Sequence, residues 1–160
     1  MLTTEQLQLV KAAILADNAL NLQPQTPDGA FAIADALNTI ATPDFIVWKT
    51  AVSVDEIMRN GMDWARVDNL SVGKARIWDW LGRLGKFDAS KPNVRAGIDA
   101  CWVGTAPDLA VRAAVYVHCK RQATRAEQIL ATGTGSDASP ATMGYEGRVT
   151  YQDILQARAS

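Results

Sequence analysis

The chain has 160 residues, enough for one domain that buries an apolar core without disulfides or metals. A hydrophobic fraction of 48% with a charged fraction of 21% excludes wholesale disorder. Sixteen basic against seventeen acidic side chains leave a net charge of −1, so the chain as a whole lacks the basic excess of a protein that wraps nucleic acid, and only a local basic patch stays open.

In chain order, Thr3 or Thr4 caps a helix expected to run to about Ala19, with Leu7, Val10 and Ile14 on its apolar face. Residues 21–27 are polar and proline-broken, a loop. Asp28 opens a second helix, with Ile33, Ala36, Leu37 and Ile40 inward and Pro43 as its stop. Residues 45–48, Phe-Ile-Val-Trp, carry the clearest extended signal and read as a lone strand or a packed linker. Ser53, followed by Asp55 and Glu56, caps a short helix ending near Gly61.

Ser71 caps the next helix, residues 72–84, with Ile77, Leu81 and Leu84 as its inner stripe and Trp78 and Trp80 flanking it. Ser90 and Pro92 open another, with Val94, Ile98, Cys101 and Trp102 on one face. Thr105 starts the longest helix, whose residues 109–117 are apolar nearly all round. Such a helix is the buried centre of its domain or an assembly interface. It turns polar at residues 118–122, and Thr124 caps a continuation, 125–131. Residues 133–147 are rich in Gly, Ser, Thr and Pro and too long for an ordinary helix connection. Thr150 caps a last short helix.

No chemical constellation stands out along the chain. Gly133-Thr-Gly-Ser136 and Val72-Gly-Lys-Ala75 lack the strand before and the Lys-Ser/Thr after that a phosphate cradle needs. His118 is the single histidine, and with Cys101 and Cys119 it cannot make a four-ligand zinc site. A nucleophile–base couple of His118 with either thiol is one catalytic pairing on offer, and the neighbouring carboxylates Asp55 and Glu56 are another, explained by their place in a first helical turn. The expectation is two reduced, buried thiols, no enzyme, no metal and no cofactor. The N-terminus has no basic start followed by an apolar run, so no secretory signal is expected, and no stretch is long enough to span a membrane. Lys120, Arg121 and Arg125 form a basic cluster, read first as helix-end charge and second as a patch facing DNA or an acidic partner. Of the five tryptophans, Trp78 and Trp80 point in different directions on one helix, which makes one of them a candidate interface anchor.

Three stretches carry a family resemblance. The first is Leu2-Thr-Thr-Glu-Gln-Leu7 with Lys11-Ala-Ala-Ile-Leu-Ala16 and Asp28-Gly-Ala-Phe-Ala-Ile-Ala34. The second is Val47-Trp-Lys-Thr50 with Val54-Asp-Glu-Ile57. The third runs from Ala123 through Gly135 and Pro140-Ala-Thr-Met-Gly-Tyr-Glu-Gly147 to Tyr151-Gln-Asp-Ile154. In these the chain resembles small virion structural proteins of tailed bacteriophages, and in size and helical reading it resembles head–tail connector (adaptor) proteins. The resemblance implies a neck-located virion protein, assembled in the host cytoplasm. Its partners would be its own copies in a cyclic homo-oligomer, a portal protein and a tail or stopper protein, with DNA passing through the ring and no membrane. A capsid decoration protein and a small DNA-binding regulator or packaging accessory are the alternatives.

The expected fold is all-α: a single-domain bundle of six or seven helices with a short extended segment near residues 45–50. Residues 1–132 form the bundle, and 133–160 a Gly/Ser-rich loop plus helix that could serve as a docking arm. Gly133, Gly135, Met143, Tyr145, Tyr151, Ile154 and Leu155 are the candidate contacts on that arm, with Trp78 or Trp80 as a further anchor.

Overall fold

The computed structural model describes residues 1–160, and the chain divides into two compact units. The first holds residues 1–47 and 122–160, the second residues 48–121.

The first unit begins with α1 (Thr4–Ala16), α2 (Asn18–Asn21) and α3 (Pro27–Leu37). Their starts follow from side-chain capping. Thr3 and Gln6 form a reciprocal capping box, Asp17 accepts from the N–H groups of Ala19 and Leu20, and Thr26 accepts from Gly29 just before Pro27. The chain leaves this unit through β1 (Ile46–Trp48).

The second unit contains β2 (Val52–Ser53), α4 (Val54–Arg59), α5 (Trp64–Asp68), α6 (Val72–Gly82), β3 (Lys86–Phe87), α7 (Pro92–Cys101) and α8 (Ala106–His118). β2 and β3 pair antiparallel, Val52 opposite Phe87 and Ser53 opposite Lys86. Its core gathers Val52, Ile57, Trp78, Phe87, Ile98, Trp102, Val111 and Val115. Trp78 and Trp102 meet edge to face at 5.4 Å between centroids.

The return runs through β4 (Lys120–Gln122), paired with β1, into α9 (Arg125–Leu130), β5 (Ala131–Thr132), β6 (Thr142–Met143) and α10 (Tyr151–Ala159). β5 and β6 pair antiparallel. α10 packs on α3 and α1, and Ile154 and Ala157 join Val10, Ile14, Ile33, Leu37 and Leu130 in the core of the first unit. Each Val, Leu or Ile among them contributes about 1.5–3 kcal/mol when fully buried.

One expectation is corrected. The fold is mixed α/β, not all-α: ten helices make up 55% of the chain, and three two-stranded sheets accompany them. Strands of two or three residues are too short to show the alternation that marks a strand in sequence. Residues 120–122, expected as the polar end of a helix, are strand, because α8 closes at its C-cap Cys119. Residues 133–160 belong to the first unit, since its core takes side chains from α10. No helix is long and apolar enough to cross a membrane.

Candidate functional site

Cys101 and Cys119 are buried, and burial pushes their thiols up to about 11 and about 12, so the reactive thiolate is scarce at neutral pH. Cys101 donates to the Lys74 carbonyl beneath a surface hollow of about 250 Å³ lined by Arg66, Asn69, Ser71 and Asp108. His118 Nε2 lies 3.1 Å from the Asn60 carbonyl oxygen and Nδ1 3.5 Å from Glu56, so both ring nitrogens face α4 and the residue after it. No group of three or more His, Cys, Asp or Glu side chains is placed to hold a metal ion.

The expected docking arm is fastened at home. Gly133 and Gly135 adopt φ of +124° and +68°, and Gly135 fits against the Phe45 ring. Met143 lies in β6 opposite Ala131, and the Tyr145 hydroxyl donates to the Arg148 carbonyl at 2.7 Å. Tyr151 stacks on Phe31 at 4.2 Å, Leu155 is half-buried and Ile154 fully buried. Asn38 exchanges two 2.9 Å hydrogen bonds with the backbone of Val149, and Arg158 donates to the carbonyls of Gln23 and Pro24. Ile154 is part of the core of the first unit.

The basic cluster separates as well. Lys120 and Arg121 lie on β4 in the second unit, and Arg125 starts α9 in the first. Arg125 bonds Asp17 at 2.7 Å, and this guanidinium, with help from the Leu20 amide, holds the Asp17 carboxyl below the usual carboxylate range.

Two helix faces carry exposed apolar side chains. α8 buries Val111 and Val115, which turns Ala106, Leu109, Ala110, Ala113 and Val117 outward on one face with no charge among them. α6 buries Trp78, so Ile77 and Leu84, expected inside, lie outside, Leu84 at 84% exposure. Trp80 stands 70% exposed on that outer face, between Arg76 and Arg83. Sequence reasoning named Trp80 but missed the two arginines and the outward set on α8. The all-round apolarity of α8 was the signal, and only burial tells which side faces water.

Comparison with protein-family models, with curated proteins and with solved structures finds no match for this chain.

Proposed function

We propose that the chain is a non-catalytic structural subunit, a head–tail connector of a tailed phage that assembles into a ring between portal and tail. The observation that supports an assembly role is the uncharged apolar outer face of α8. A folded protein keeps large contiguous apolar patches off its surface unless another protein covers them. A second exposed face, on α6, carries Trp80 among charged side chains, so the subunit offers two different surfaces, as head-to-tail assembly requires. The phage setting draws its support from the three sequence stretches named above, by analogy. In this reading the mechanism is surface complementarity: one face holds the next subunit and others receive portal and tail.

Quantitative mass spectrometry of purified particles, normalised to the major capsid protein, tests the setting. A low, ring-like copy number is the expected result. A copy number close to that of the capsid protein points to decoration, and absence from the particle overturns both virion assignments.

A further inference from the structure

The near-zero net charge hides a segregation. The first unit carries four basic against nine acidic side chains, net −5, and the second twelve against eight, net +4. Within each unit one helix sets two charges of that sign on either side of an exposed aromatic ring. On α6, Arg76, Trp80 and Arg83 follow one another at i, i+4 and i+7, and all three are exposed; the exposed Asp79 lies on the same face beside Trp80 and leaves it a net charge of +1. On α3, Asp28, Phe31 and Asp35 follow at i, i+3 and i+7, and all three are exposed, Phe31 at 51%. Seven residues of helix rise about 10.5 Å, so the arginine pair and the aspartate pair are equally spaced along their axes. None of the four charges has an ion-pair partner within the chain. The helix dipole explains Asp28 in a first turn and Arg83 at a C-cap. It does not explain Asp35, near the C-terminal end of α3, or Arg76 in mid-helix.

We infer that the α6 face of one copy docks on the α3 face of a second copy, with Arg76 and Arg83 meeting Asp28 and Asp35 around a Trp80–Phe31 contact. The inference rests on the reading of the chain as a self-associating subunit and names the surfaces that reading requires. The match holds with the helices parallel or antiparallel, since each pattern has a charge at both ends. Trp and Arg are the residue types that dominate interface energetics when they meet a complementary partner. The contact is heterologous: each copy offers one donor face and one acceptor face, so it propagates to a ring or a filament.

The experiment is sedimentation velocity on the full chain and two double variants, Arg76→Asp/Arg83→Asp and Asp28→Arg/Asp35→Arg. All four positions are exposed, and circular dichroism checks that both variants fold. The first variant sets acidic α6 against acidic α3, the second basic against basic. Each alone should associate roughly 100-fold more weakly than the unmodified chain, because like charges now face each other. Mixing the two restores both pairings, and association should return in the mixture only. If the unmodified chain associates and the folded variants associate equally well, this docking mode is overturned while self-association stands. A chain that is monomeric throughout overturns both. A monomer that instead retains duplex DNA, and loses it in Arg76→Asp/Arg83→Asp, assigns the α6 face to nucleic acid and overturns the inference.

Discussion

Replacing Trp102 by alanine is expected to cost about 3–5 kcal/mol, the range for truncating a buried aromatic side chain. Trp102 has no exposed surface and sits edge-on against Trp78 at the centre of the second unit. Trp102 shares its core cluster with Ile98 and Cys101 of α7 and Val115 of α8, so the space it leaves is walled by packed helical side chains. The indole Nε1 atoms of Trp78 and Trp102 are buried and find no hydrogen-bond acceptor. An orphaned buried donor costs about 1–3 kcal/mol. Trp102→Phe removes that donor along with part of the ring, so its two effects oppose and its net cost should be well below that of alanine. Urea unfolding followed by far-ultraviolet circular dichroism reads both without depending on tryptophan fluorescence. An unchanged midpoint for Trp102→Ala would remove Trp102 from the centre of this core.

Gly135→Ala is expected to destabilise by about 2 kcal/mol or more, from a side chain forced to positive φ and from collision. The φ of +68° is one that glycine adopts freely, and an added Cβ lands on the Phe45 ring. Phe45 packs on Val47, Ala123 and Ala141, and the Gly135 carbonyl accepts from the Ile46 amide at 2.7 Å, so neither side can yield without breaking a packed contact. Gly61→Ala serves as the comparison, since its φ is +98° with nothing within 4 Å of an added Cβ. Both variants force a side chain to positive φ, at +98° in Gly61 and +68° in Gly135, so a greater loss at Gly135 is the sign of the collision. A Gly135→Ala variant no less stable than Gly61→Ala would mean that the 133–147 loop gives way freely, as a detachable arm would.

Helix starts were legible because capping is local. Thr3, Ser53, Thr105, Thr124 and Thr150 all cap where a hydroxyl precedes an apolar-periodic run. The phase of α6 was not. Its sequence holds two overlapping stripes, Ile77–Leu81–Leu84 and Trp78–Leu81, and the core chose the second because Trp78 meets Trp102 at the C-cap of α7. That is a tertiary contact with no local signature. The 133–147 segment misled for a related reason: Gly/Ser-rich composition suggests a free arm, but Pro140 and Ala141 are buried and Gly135 fits against Phe45. The opposite charge of the two units was hidden because the first is built from both ends of the chain, and a net charge of −1 averages over them. The Asp–Phe–Asp and Arg–Trp–Arg spacings were present in the sequence all along. They become a candidate surface only once burial shows which helix face is left outside.

Sedimentation velocity of the unmodified chain, from the most dilute solution detectable to the most concentrated attainable, tests self-association most directly. A subunit that docks α6 on α3 sediments faster as concentration rises, and shifts back toward monomer as added salt screens the arginine–aspartate pairs. A single boundary for the 17.3 kDa monomer at every concentration, in low and high salt alike, contradicts it.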